Sequence, residues 1–221
     1  RSKMAELNIY LLKLRTSNWR SVEQAIYRSN HKCKAIDISE LSALKNRSIL
    51  VIPGVGNIND LHKEMSRHQP ISTIGSNLRA NEIKVLGICL GFQFLCRVSE
   101  EYEQANCFRF FDCPVVSIHQ PSRPSVGWKK LKQISNPDIE SPLAKFLHEK
   151  SFYFTHSFGV KYPSSLVPEA EKYTYEVNDS DKIIAALINR NVIGFQFHPE
   201  KSGNDGINLI SASLNYLQVG K

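Results

Sequence analysis

Gly87-Ile88-Cys89-Leu90-Gly91 sets a cysteine between two glycines, immediately after the apolar run Val85 to Ile88 and just before Phe92 to Leu95. A strand that reverses sharply into a helix brings its backbone too close for ordinary side chains. Flanking glycines absorb that crowding while the central residue stands out at the tip, a geometry that presents a nucleophile. Sulfur at the first turn of a helix also lies beside unpaired backbone N–H groups and the positive end of the helix dipole, both of which favour thiolate. At an unperturbed pKa of about 8.5 roughly 3% of a thiol is ionised at pH 7, against roughly half at a pKa of about 7. On its own the pattern fits a buried cysteine equally well, so the reading depends on a base.

His198-Pro199-Glu200, which follows the apolar run Val192 to Phe197, offers one. A histidine at a strand end can take the thiol proton and later return it to a leaving group, while a nearby carboxylate holds the ring in line and stabilises imidazolium. The other histidines (His31, His62, His68, His119, His148 and His156) lack such companions and read as structural or exposed, with His156 held in reserve. A third segment, Pro53-Gly54-Val55-Gly56, follows the run Ile49 to Ile52 and so falls at the carboxyl edge of a sheet, where open α/β folds bind ligands. Two glycines there let backbone N–H groups face a developing oxyanion; losing one such donor costs on the order of a hundred- to thousandfold in rate. Taken alone, the segment is also an ordinary strand-to-helix turn.

The elements that must carry these residues show in the hydrophobic pattern. Apolar runs at Leu7 to Leu12, Lys34 to Ile38, Ile49 to Ile52 and Val85 to Ile88 alternate with amphipathic stretches, which predicts buried parallel strands joined by helices. Between the first two, Trp19, Val22, Ala25 and Ile26 recur on one helical face, and Ser21 with Gln24 offers a capping box, so the unit reads as βαβ with a right-handed crossover. From Phe108 to Val126 the prolines Pro114, Pro121 and Pro124 interrupt short β-prone pieces, which suits irregular or antiparallel strands. Strand signals return at Phe152 to Phe154, Ile183 to Ile188 and Val192 to Phe197, and Ile207, Ile210, Leu214 and Leu217 mark a closing helix after Gly206. The fold expected is three-layer α/β, with a mostly parallel central sheet, flanking helices and a mixed, antiparallel second half. It forms one domain over residues 4–221, with Arg1 to Lys3 fitting no element.

Composition narrows the function classes. With 42% hydrophobic and 22% charged residues in 221, the chain is an ordinary globular protein. No run approaches the roughly 18 apolar residues of a membrane span, and no signal-peptide core follows Arg1-Ser2-Lys3, so a cytoplasmic protein without a membrane partner is expected. The five cysteines, Cys33, Cys89, Cys96, Cys107 and Cys113, are odd in number and irregularly spaced, which argues against a disulfide framework. Cys107 and Cys113 lack the paired spacing of a zinc site, and neither metal nor cofactor is expected. The net charge of +7 is scattered, with no nucleic-acid motif, and predicts a solvated basic surface suited to steering an anionic substrate or acidic partner.

Pro53-Gly54-Val55-Gly56, Gly87-Ile88-Cys89-Leu90-Gly91-Phe92-Gln93 and His198-Pro199-Glu200-Lys201-Ser202, in that order and at those distances, resemble the class I (triad) glutamine amidotransferases. Asn18-Trp19-Arg20-Ser21-Val22-Glu23, Gly127-Trp128 and Tyr153-Phe154-Thr155-His156-Ser157 resemble one branch of that family, the glutaminase subunits of imidazole glycerol phosphate synthase, and the likeness runs from Leu7 to Leu217. The resemblance implies a flavodoxin-like fold and hydrolysis of L-glutamine. Ammonia would pass to a (β/α)8-barrel synthase subunit, HisF-like, in a heterodimer.

It assigns Cys89 as nucleophile, His198 as base, Glu200 as its orienter, and the Gly54, Val55, Gly56 and Leu90 backbone as oxyanion site. Gln93, Glu101, Ser157 and Phe158 fall at glutamine-binding positions, and Asn18, Gly127, Trp128 and Lys201 at the partner-facing rim. It also implies that the oxyanion backbone becomes competent only on a signal from the partner. Departures at Arg15-Thr16-Ser17, at Pro124-Ser125-Val126 and at Phe158 spare the triad and fall near the rim. They suit a paralogue that supplies ammonia for amidination of a surface-glycan sugar. Rival readings are a non-catalytic regulatory module on the same fold, a stand-alone thiol hydrolase of γ-glutamyl peptides and, resting only on charge, a nucleic-acid binder.

Overall fold

The structure, a computed structural model, describes residues 7–102, 105–118, 124–133, 142–161 and 183–219, together with the backbone of 173–177. His119, Pro121 and Arg1 to Lys3 lie outside the described residues. The first half alternates: β1 (Asn8–Leu12), α1 (Trp19–Arg28), β2 (Lys34–Ile36), a 3-10 turn (Ile38–Ala43), β3 (Ser48–Ile52), α2 (Ile58–Ser66), α3 (Ile71–Ala80), β4 (Lys84–Ile88) and α4 (Leu90–Phe94). Short strands follow, β5 (Val98–Ser99), β6 (Ala105–Asn106) and β7 (Pro114–Ser117), then the longer β8 (Ser125–Gln133). The remainder is α5 (Ala144–Leu147), β9 (Ser151–His156), β10 (Phe158–Val160), β11 (Tyr173–Val177), β12 (Ile184–Ile188), β13 (Val192–Phe195), a 3-10 turn (Pro199–Lys201) and α6 (Gly203–Val219).

The main sheet runs β2-β1-β3-β4-β13-β12-β11-β8-β9. Its first five strands are parallel and the rest antiparallel, as the continuous apolar runs of the first half and the broken pattern of the second predict. Alternate residues of β3 serve opposite faces: Leu50 and Ile52 pack with Ile58, Leu61, Ile74 and Leu78 from α2 and α3. Ile49 and Val51 pack with Val22 and Ile26 from α1 and Ile210 and Leu214 from α6. The sheet thus lies between two helical layers, each closed by apolar burial. A smaller sheet, β10-β7-β5-β6, holds the proline-interrupted region, where β7 pairs antiparallel with β10 and parallel with β5. Among the described residues no helix is long and apolar enough to cross a membrane.

Two local expectations change. The capping box at Ser21 does not form: the N-cap of α1 is Asn18, whose side chain makes no cap hydrogen bond because its amide is used elsewhere. A capping box does form at Asp37 and Glu40, on the first 3-10 turn. Helix α6 begins at Gly203, ahead of Gly206, and a Cβ at Gly206 would collide with the Pro199 carbonyl, so the helix presses directly on the turn that carries Glu200.

Candidate active site

β4 and β13 are parallel neighbours in the register Gly87 with Gly194 and Ile88 with Phe195, so the residues just beyond each strand emerge side by side at the carboxyl edge. Cys89 leaves β4 there with φ 51° and ψ −105°, a conformation a non-glycine residue adopts only under strain. Its N–H donates to the Phe195 carbonyl at 2.6 Å, which fixes the tip against β13. Gly91 is obligatory, since a Cβ would strike the Ile52 carbonyl, and a Cβ on Gly54 would lie 2.6 Å from the Gly91 nitrogen. The helix after the elbow is short, a five-residue turn. A full macrodipole is therefore not available to the sulfur, and local donors matter more.

His198 leaves β13 two residues after Gln196, completely buried. Its N–H donates to the Tyr153 carbonyl at 2.9 Å, and its carbonyl accepts from Ser202 Oγ at 2.6 Å. Nδ1 meets Glu200 Oε1 at 2.7 Å, both side chains fully covered. Nε2 has no conventional partner, which leaves it to the Cys89 sulfur. Burial opposes protonation of the ring, but the charge and hydrogen bonding of Cys89 and then of Glu200 outweigh it and raise the His198 pKa to about 10. Burial likewise pushes the Glu200 carboxyl up; hydrogen bonds from His198 and Asn18 overcome that and hold it below the ordinary carboxylate range.

Asn18 lines the cleft and also reaches inward: its Nδ2 donates to the same Glu200 Oε1 at 2.6 Å, joining it to the His198–Glu200 pair. Lys201 is exposed beside it on the cleft, and Gly127 and Trp128 lie on β8, with Trp128 58% exposed and edge-on to Tyr153. In the oxyanion segment the Gly54 carbonyl, not an N–H, is turned toward the elbow. Leu90 N–H points at the Gly54 carbonyl, 3.4 Å away. In a trans peptide the following Val55 N–H faces the opposite way, so an acceptor stands where a second donor was expected.

A cleft of about 460 Å³ joins these groups, lined by Cys89, Val55, Gly56, Leu90, Gln93, Glu101 and the Thr155–Phe158 edge. Glu101 Oε2 accepts from the Ile58 N–H at 3.1 Å; burial raises its pKa, that bond lowers it, and Asp60 raises it further, for a net rise. Gln93 is buried, its Nε2 donating to the Phe158 carbonyl at 2.7 Å and to Gln196 Oε1 at 3.2 Å. Sequence reasoning missed Gln196, which touches the sulfur; only the β4–β13 register reveals that it stands opposite Cys89. A larger open groove at the amino ends of β1 and β2, lined by Tyr10, His31, Cys33 and Lys34, holds none of this array.

A strained cysteine elbow beside a buried histidine–carboxylate pair, at the carboxyl edge of a parallel sheet, defines a triad-type α/β protein. The glutamine amidotransferase class-I family profile matches residues 11–214. The chain belongs to that family. It is 31% identical over 91% of its length to imidazole glycerol phosphate synthase subunit HisH 1 of Methanococcus maripaludis, covering 96% of that protein. It is 29% identical to subunit HisH 2 of Vibrio vulnificus, covering 97% of each chain. Among solved structures, PurLQS from Thermotoga maritima superposes with a TM-score of 0.65 at 20% identity, covering 96% of this chain and 100% of that one. The glutaminase domain of Trypanosoma brucei CTPS with bound acivicin superposes at 0.63 and 15% identity, covering 97% and 94%.

Proposed function

We propose that the chain is the glutaminase subunit of an imidazole glycerol phosphate synthase, hydrolysing L-glutamine to glutamate and ammonia. The ammonia passes to a (β/α)8-barrel synthase subunit in a cytoplasmic heterodimer. The observation that carries the reading is the fully buried His198–Glu200 pair at the strand end adjoining Cys89, in a chain matched along almost its whole length by HisH subunits.

In this reading the Cys89 sulfur attacks the side-chain amide carbon of glutamine. The carbonyl oxygen becomes an oxyanion facing the Leu90 N–H, and imidazolium His198 gives a proton to the departing nitrogen, releasing ammonia. Water then attacks the γ-glutamyl thioester, with neutral His198 taking its proton, and glutamate leaves as the thiolate is restored. Glu200 and Asn18 keep the ring aligned throughout. With the Gly54 carbonyl turned toward Leu90, the oxyanion would meet an acceptor. Rotation of the Gly54–Val55 peptide exchanges that carbonyl for an N–H donor, which is how docking of the partner switches hydrolysis on.

Glutamate release is measured with the barrel partner and its ligand present. Cys89→Ala is expected to lower it by on the order of 10⁴- to 10⁶-fold; full activity in that variant would end the reading. A strain lacking its own HisH subunit, supplied with this chain and its cognate partner, is expected to grow without histidine. Failure to grow while glutamate release persists assigns the ammonia to another acceptor, such as a surface-glycan sugar, as the departures at Arg15 to Ser17 and Pro124 to Val126 would suit.

A further inference from the structure

Gln196 is buried with no exposed surface, yet it lies outside the triad, the oxyanion segment and the substrate positions. Its backbone is fixed by an N–H bond to the Ala185 carbonyl at 2.8 Å. One end of its amide lies 3.7 Å from the Cys89 sulfur and the other 3.2 Å from Gln93. Which end is nitrogen decides what it does to the sulfur, and the chain of contacts settles this. The Phe158 carbonyl can only accept, so the Gln93 atom 2.7 Å from it must be the NH2 group. That same NH2 faces Gln196, which therefore presents its oxygen to Gln93 and its own NH2 to the sulfur.

We infer that Gln196 is a catalytic residue that stabilises the Cys89 thiolate through an N–H···S⁻ hydrogen bond, with its amide polarity set by Gln93 and ultimately by the Phe158 carbonyl. Besides His198, whose Nε2 faces the sulfur, the Thr155 carbonyl lies 3.9 Å away. It can accept from a thiol but repels a thiolate. A five-residue helical turn offers the sulfur little dipole. A neutral donor on the β13 side adds to His198 in favouring the charged form, since hydrogen bonds to ionised groups are roughly twice as strong as neutral ones. The relay also joins the nucleophile to Phe158, at the rim of the cleft, by three hydrogen bonds in series.

The inference rests on Cys89 being the nucleophile, and it is tested by a measurement that needs no turnover. In the full chain, the rate of Cys89 alkylation by iodoacetamide is followed against pH by peptide mass spectrometry, for wild type, Gln196→Met and Gln196→Glu. Gln196→Met is expected to move the midpoint up by about one pH unit, slowing alkylation at pH 7 roughly tenfold. Gln196→Glu places a carboxyl against the sulfur and moves it further. Gln93→Met, which frees the Gln196 amide to turn over, is expected to shift it in the same direction by less.

In ¹⁵N-labelled wild type, one glutamine side-chain amide resonance is expected to titrate with the alkylation midpoint and to stop doing so in Cys89→Ser. That reading needs no Gln196 variant to fold. A folded Gln196→Met protein with the wild-type alkylation profile, or no glutamine amide that follows Cys89, overturns the inference. If wild type with its partner releases glutamate while that profile is unchanged, this inference alone fails. If wild type and Cys89→Ala are equally active, the proposed function fails instead.

Discussion

The corner where β4 and β13 end and the loop between β3 and α2 face the same cleft, but they are held in different ways. At the corner, Cys89 and His198 are anchored by backbone bonds to Phe195 and Tyr153, Ser202 braces the His198 carbonyl, and His198 and Glu200 are fully covered. The loop has a half-buried Val55 and an exposed Gly56 at φ 103°. It is tied at one end by the 3.4 Å contact from Leu90 to Gly54 and at the other by the Glu101 bond to Ile58. In the proposed mechanism the groups that exchange protons sit where burial magnifies their interaction. The element proposed to change on partner docking lies where rotating one peptide disturbs little packing.

The sharpest way to break that contrast is to remove the charge at the corner. Glu200→Gln keeps the shape but takes away one of the two groups that raise the His198 pKa to about 10. Glutamate release with the partner is expected to fall by on the order of 10³- to 10⁴-fold, and the alkaline limb of kcat against pH to move to lower pH. The sign for stability follows from the same shifts. The raised His198 contributes fully below about 6.5 and loses that contribution as pH rises through about 10. The lowered Glu200 contributes above 4.5 and loses it as pH falls through its depressed value. Thermal melts of wild type and Glu200→Gln are expected to converge above that upper limit; a constant gap at all pH would mean the pair is held by packing alone.

Asn18→Ala takes a smaller step. It removes one bond to a charged oxygen, worth about 1.5–3 kcal/mol, so kcat is expected to drop roughly tenfold or somewhat more. An unaltered kcat would show that Pro199, Ser202 and His198 hold Glu200 without help from α1.

Much of the corner was legible because local rules dictate it. Gly87 and Gly91 must be small where the elbow presses on Ile52 and Leu95, and Pro199 starts a turn that brings Glu200 back to His198. The parallel strands followed from fully apolar runs whose alternate residues serve two helical layers. What escaped was set by long-range pairing. One case is the contact of Asn18 with Glu200: nothing nearby in sequence shows that its amide meets a carboxylate 182 positions away. Gln196 reads as one polar residue in an apolar strand until the β13 register sets it opposite Cys89. The direction of the Gly54 carbonyl depends on one peptide rotation that two glycines leave open, so composition permits either state.

Glu101 probes the loop end of the contrast with the smallest effect. Unlike Glu200, it has no cationic partner among the described residues: burial first, and Asp60 after the Ile58 bond, leave its carboxyl titrating above the ordinary value of 4.5. If, at this glutamine-binding position, it faces the α-ammonium, the one cationic group of the substrate, only the ionised form binds well. KM for glutamine should then climb several-fold as pH falls toward the carboxylate range, beginning at a higher pH than an ordinary carboxylate would set, while kcat stays level over the same interval. Glu101→Gln should raise KM at neutral pH and flatten that dependence. A KM independent of pH in wild type would mean that Glu101 serves only to tether α2 to the oxyanion loop through Ile58, and that the ammonium is bound by other groups of the cleft.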